Sequence, residues 1–261
     1  MQKINMIKSE YLRGLVAKGM REGLRDHFSY RDIKLTNKFI PNAEGSTHVE
    51  LGNTKIVVGI KMGVDSPMPD RPTEGNLQVS AELLPLASAE YEVGPPSPDA
   101  VEFARVVDRG IRAAGVVDLD SLFIEEDKVW TVFVDVYVLN FDGNLFDAAT
   151  LGAVSALNNT KMPRYEDGKV IRENMTGKLK INNVVTSCTW AKIDNKLLLD
   201  PTSSEESIMD SRLTIANDKD NIRAMQKGLH GPFTAKEVEE IIDKTFEKSK
   251  NLRQIIEKTK E

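Results

Sequence analysis

The 261-residue chain contains a single cysteine, Cys188, so no disulfide can close within it and no cysteine-rich zinc site can form. Such a chain suits a reducing compartment, and the cytoplasm is the default expectation. No window approaches ~20 uninterrupted apolar residues, which excludes a membrane-spanning helix. Residues 1–20 mix acids, bases and apolar side chains, without the apolar stretch or small-residue cleavage site of a signal peptide. An excess of positive charge is missing too. Lysine and arginine total 35 against 40 aspartates and glutamates, a net charge of −5. That excludes holding nucleic acid by bulk charge and leaves only a local cluster or a partner to do so. There is no Gly-x-x-x-x-Gly-Lys-Ser/Thr loop, no Gly-x-Gly-x-x-Gly and no Gly-x-Ser-x-Gly elbow. The three histidines, His27, His48 and His230, are scattered without metal-ligand spacing. They read as surface or structural residues, and neither a metal nor a cofactor is expected. Cys188 lies among apolar neighbours and reads as an inert buried thiol.

What is present is an ordinary globular composition, 40% apolar and 29% charged. Helical spacing over 4–24 places Ile7, Tyr11, Leu15 and Val16 on one face. Strand patterns follow at 33–40, 47–51, 54–64 and 76–84, with Gly52-Asn53 as a hairpin turn. The segment 65–75 carries three prolines, including Pro67 and Pro72, and is expected to be irregular and exposed. Ser97 and Pro98 open a helix that Gly115 ends. A buried strand is expected at 129–141, a small-residue helix at 148–157, and strands at 183–193, 196–200 and 212–217, with Asp194-Asn195 as a turn. Thr234 and Glu237 form a capping box at the start of a terminal helix. This order predicts an α+β fold with mixed or antiparallel sheets and packed helices. It is read as one domain over 1–261, with a helical extension at 1–24, a core at 25–230 and a C-terminal helix at 231–261.

Two clusters could carry chemistry. Arg105, Arg109 and Arg112 stand at i, i+4 and i+7, within about 60° of one another on a helix, opposite Phe103, Val107, Ile111 and Ala114. The guanidinium fork suits phosphate, although Asp108 is within reach for ion pairing. The acid-rich stretch 200–210 could gather carboxylates for Mg²⁺ or acid–base work, but charge runs are ordinarily solvated loops.

The block Val129-Trp-Thr-Val-Phe-Val-Asp-Val-Tyr-Val-Leu-Asn-Phe-Asp-Gly-Asn-Leu-Phe-Asp-Ala-Ala149 resembles the RNase PH-like phosphorolytic ribonucleases, and among them the non-catalytic ring subunits of the archaeal exosome. Supporting blocks are Arg21-Glu-Gly-Leu-Arg25, Tyr30-Arg31-Asp32-Ile33, Gly45-Ser-Thr-His-Val-Glu-Leu-Gly-Asn-Thr54, 101–112 and the helix from Thr234, so the resemblance spans 20–250. It implies a fold like that of ribosomal protein S5 domain 2. It further implies a hexameric ring in which three copies alternate with three of a catalytic RNase PH-like paralogue, RNA-binding cap subunits, and single-stranded RNA in a channel contacted by Arg105, Arg109 and Arg112. Neither DNA nor a membrane is an expected partner. Two positions depart from the catalytic pattern. Where active members bind phosphate in a small polar loop, this chain has Asn144-Leu145-Phe146-Asp147; apolar bulk is expected to fill the space and Asp147 to repel the anion. Where they carry two aspartates six residues apart, it has Glu206 and Arg212, and arginine does not lose its proton. The implied role is a non-catalytic subunit of a 3′–5′ phosphorolytic exoribonuclease complex. The alternative is a self-sufficient enzyme using Glu206 and Asp210.

Overall fold

The computed structural model describes residues 2–259. Helix α1 (Gln2–Ala17) precedes four strands, β1 (Ile33–Asn37), β2 (Gly45–Leu51), β3 (Thr54–Asp65) and β4 (Asn76–Leu83). Helix α2 (Pro98–Ala113) leads into β5 (Phe123–Glu125) and β6 (Lys128–Asn140). Helix α3 (Leu145–Asn158), the hairpin β7 (Lys161–Glu166) and β8 (Lys169–Lys178), and strands β9 (Thr186–Ile193) and β10 (Lys196–Leu199) follow. The chain ends with α4 (Ser203–Glu206), β11 (Ser211–Asn217), β12 (Ile222–Gly228) and α5 (Ala235–Lys258). This is the expected α+β arrangement of mixed and antiparallel sheets with packed helices.

The first sheet runs β1-β2-β3-β6-β4 with β5 on β6, and the second β10-β9-β11-β12; β7 and β8 pair only with each other. All pairings are antiparallel except β4 with β6, which α2 connects. Helix α3 packs against β2 and β3 on one side and β9 on the other. A helix gripped by two sheets has no polar face, and Phe146 to Leu157 are all buried. The packing is close enough that a Cβ on Gly152 would come within 2.8 Å of Val58. One apolar core runs through both sheets, from Val49 and Ile60 to Trp190, Leu213 and Leu252.

The local signals act as expected at the helix ends and turns. Ser97 caps α2 through the Ala100 amide at 3.2 Å, and Thr234 with Glu237 forms the capping box of α5. Gly52 and Gly115 take positive φ, and Asp194 and Asn195 form a turn with positive φ at both positions. The segment between β3 and β4 is irregular and mostly exposed.

Helix α1 is shorter than expected, and only part of the expected face turns inward. Tyr11 is 60% exposed, while Leu12 and Val16 are buried against Ile193, Leu198 and Ile208. The Ile7 side chain lies outside the described residues. Four strands, β5, β7, β8 and β12, were not expected from the sequence. Both β8 and β12 lie at sheet edges and are rich in charge, so neither shows a buried period-2 stripe. The Asp167-Gly168 turn, positive in φ at both residues, was the one available sign of the β7–β8 hairpin.

Candidate functional site

Helix α2 buries Phe103, Val107, Ile111 and Ala114 and turns Arg105, Arg109 and Arg112 to solvent. These three line a surface groove of about 850 Å³ together with Pro98, Val101 and Gln226. The arginines are not equivalent. Arg105 makes no hydrogen bond or ion pair with any described residue. Arg109 donates to the Gln226 side-chain oxygen at 2.6 Å. Arg112 is held by Asp108 at 2.7 Å and the Leu77 carbonyl at 2.8 Å. Arg105 is thus a cation free of partners among the described residues, Arg109 is held by a neutral side chain, and Arg112 is half-neutralised.

The start of α3 corrects the expectation for 144–147. The helix begins at Leu145, three residues earlier than predicted, with Asn144 as N-cap in the left-handed region. Leu145, Phe146 and Asp147 therefore form a first helical turn rather than a loop. Asp147 points inward, fully buried, and accepts from Tyr30 Oη (2.8 Å), Asn144 Nδ2 (2.9 Å), the Thr189 amide (2.9 Å) and Thr189 Oγ1 (2.8 Å). Burial pushes this carboxyl up to about 6 despite those donors. It is a structural acid that joins α3 to β9, not a group placed to repel an anion. Phe146 does supply the expected apolar bulk: it packs edge-on to Phe103 at 5.7 Å and under the Arg212 guanidinium at 4.3 Å. Leu145 is half-buried beside it.

Glu206, at the end of α4, accepts the Asn144 amide at 2.8 Å. Burial pushes its carboxyl up to about 7, against that amide and the nearby charges of Arg212 and Arg31. Arg212, the residue at the second acid position, donates to Glu102 at 2.8 Å. Asp210 does not join Glu206. Its oxygens take Arg13 of α1 at 2.9 Å and the Asp194 amide at 2.9 Å, and Arg13 holds it below the ordinary carboxylate range. Glu206 and Asp210 therefore have separate partners and do not form a pair.

The reading of 200–210 as a solvated loop is also corrected. Asp200 is fully buried and Glu205 is 2% exposed. Their partners come from the N-terminal blocks. Arg21 grips Glu205 with two bonds, at 2.7 and 2.6 Å, and donates to the Leu199 and Asp200 carbonyls. Arg25 and Arg31 both pair with Asp200, at 2.5 and 2.8 Å. Asn144 Nδ2 reaches Asp200 at 2.7 Å as well as Asp147, so the ion cluster fixes the turn that starts α3. Sequence spacing could not show this, because the bases and acids lie more than 165 residues apart. Among the described residues, no group of three or more His, Cys, Asp or Glu side chains is arranged to hold a metal, and no helix is long and apolar enough to cross a membrane.

Comparison with known proteins gives this geometry a context. Residues 29–163 match the model of the 3′ exoribonuclease family, domain 1, and residues 183–248 match domain 2. The exosome complex component Rrp42 of Thermococcus gammatolerans is 43% identical over 256 residues, covering 96% of this chain and 94% of its own. That of Methanopyrus kandleri is 43% identical over 255 residues, with 96% of each chain covered. Among solved structures, an Archaeoglobus fulgidus exosome with RNA bound to the active site contains a chain that superposes with a TM-score of 0.90 at 41% identity, covering 96% of this chain and 98% of that one. An archaeal exosome core gives 0.85 at 38% identity, with both chains covered in full. The chain belongs to the 3′ exoribonuclease, or RNase PH, family.

Proposed function

We propose that this chain is a non-catalytic ring subunit of an exosome-type complex that degrades RNA phosphorolytically from its 3′ end. The observation that carries the reading is Arg212. A permanently protonated guanidinium, stacked on Phe146 and paired with Glu102, stands where a second acid is needed for proton transfer or Mg²⁺ binding. Glu206 accepts the Asn144 amide, and the carboxylate nearest in charge to it, Asp200, is already taken by Arg25 and Arg31. The near-full-length similarity to Rrp42 components, and to chains of archaeal exosome cores, supports the assembly.

In this reading three copies alternate with three of a catalytic RNase PH-like paralogue in a cytoplasmic hexamer, with RNA-binding cap subunits above it. The chain helps to shape the paralogue's active site. Its α2 groove guides single-stranded RNA, with Arg105 and Arg109 contacting the backbone without regard to sequence and Arg112 contributing less. The continuous core supports treating the whole chain as one folding unit. The test is degradation of single-stranded RNA in the presence of phosphate, by the purified chain alone and after mixing with the paralogue. Activity is expected only in the mixture; nucleoside diphosphates released by the chain alone would sink the proposal.

A further inference from the structure

The arginine at the degenerate acid position is wired to the arginine face of α2. Arg212 and Gly228 face each other in the β11–β12 register, and so do Thr214 and Gln226, which places Arg212, Gln226 and Gly228 on one face of the sheet. The Arg212 guanidinium lies between the Phe146 ring, 4.3 Å from its centroid, and Gly228, where a Cβ would come within 2.8 Å of Nη2. From this slot Arg212 donates to Glu102 Oε1 at 2.8 Å. The same oxygen accepts Gln226 Nε2 at 3.2 Å, which fixes the carboxamide with its oxygen turned outward. That oxygen takes Arg109 Nη2 at 2.6 Å. The donors and acceptors alternate without a break: Arg212 to Glu102, Gln226 to Glu102, Arg109 to Gln226.

We infer that Glu102 and Gln226, anchored by Arg212, are positioning residues that aim the Arg109 guanidinium into the RNA-guiding groove. The inference rests on the proposed RNA contact of α2 and adds a use for the lost acid position. An exposed arginine otherwise samples many rotamers, and a phosphate that captures it must freeze them. Here Nη2 is spent on Gln226, with the Met225 carbonyl at 3.5 Å, and the Nε and Nη1 donors remain for the ligand. Glu102 does not neutralise Arg109 directly, because it already pairs with Arg212.

The test uses the chain assembled with its catalytic paralogue, in phosphate-free buffer, and measures the affinity of a labelled oligoadenylate. Arg109→Ala should weaken binding. Gln226→Leu, which keeps Arg109 but removes its guide, should weaken it roughly threefold, about the cost of ordering one long side chain. In an Arg109→Ala background Gln226→Leu should have no further effect. The inference is overturned if Arg109→Ala weakens binding while Gln226→Leu does not, or if Gln226→Leu costs as much without Arg109 as with it. If Arg109→Ala itself leaves affinity unchanged, the RNA contact assigned to this helix face falls, and the positioning role with it.

Discussion

Arg21→Met should remove about 4 kcal/mol of unfolding free energy, and the structure shows where that figure comes from. Arg21 is 2% exposed and its guanidinium makes two charge-assisted bonds to Glu205, at 2.7 and 2.6 Å. Removing one partner of such a buried pair strands the other charge, at about 3–5 kcal/mol. Arg25 Nη2, 3.7 Å from Glu205 Oε2, tempers this toward the lower end. The Leu199 carbonyl loses its 2.8 Å partner, adding about 1 kcal/mol, whereas the Asp200 carbonyl keeps Arg25 at 2.8 Å. The assay is urea unfolding of wild type and variant. A pH series gives an internal check. Burial alone would raise the Glu205 carboxyl, but the hydrogen bonds and charge of Arg21 bring it below its ordinary value. Without Arg21 burial wins and the carboxyl takes up a proton, so the deficit should narrow as pH falls below about 5. Arg21→Met with Glu205→Leu should recover most of the loss, since an apolar pair of similar size leaves no charge unpaired. A deficit below about 1 kcal/mol at neutral pH would refute the argument that this cluster, rather than the apolar core alone, holds the N-terminal block to the second sheet.

Other expectations follow from the same geometry. Glu206, pushed up to about 7, and Asp147, pushed up to about 6, bind their protons more tightly folded than unfolded, so both favour the fold as pH falls. Asp200 and Glu205 are lowered and lose their contribution at acid pH, so thermal stability should peak near pH ~5 and decline toward ~8. Glu206→Gln should flatten that decline, and a melting temperature rising steadily from acid to neutral pH in both proteins would contradict it. Gly143→Ala should destabilise by roughly 2–4 kcal/mol in chemical denaturation, because φ is +80° there and a Cβ would lie 2.5 Å from the Pro201 carbonyl oxygen. In the assembled complex, Arg105→Ala should lower the salt dependence of RNA binding by about one counterion while Arg112→Ala, already paired with Asp108, changes it less; equal slopes would argue against the ranking. Cys188, its thiol pushed up to about 12 by burial, should not react with a disulfide reagent until the protein unfolds.

The sequence was informative wherever the physics is local. The Ser97-Pro98 helix start, the Thr234–Glu237 capping box and the Asp194-Asn195 turn depend on a few neighbouring residues, and each forms as read. The arginine face of α2 was legible for the same reason: spacing of 3.6 residues per turn separates Phe103, Val107 and Ile111 from Arg105, Arg109 and Arg112 without reference to the rest of the chain. The exposed edge strands β8 and β12 were not legible, because their burial, and hence their pattern, is set by neighbours in the sheet.

By itself, then, the sequence determined the order of the main elements, the absence of an intrachain disulfide and of a long apolar helix, an arginine at position 212, and a cluster of positive charge inside a chain of net charge −5. Only the tertiary structure decided what the charged residues do with one another. Asp147 turned out to be a buried tie to Thr189 rather than a barrier to phosphate, and Asp200 and Glu205 proved to be counter-ions for Arg21, Arg25 and Arg31. Arg212 became the anchor of Glu102. The reason is that a charge has no periodicity of its own: whether it faces water or is buried depends on a partner that can lie anywhere in the chain, and burial without that partner costs several kcal/mol. Only the folded chain brings the two together.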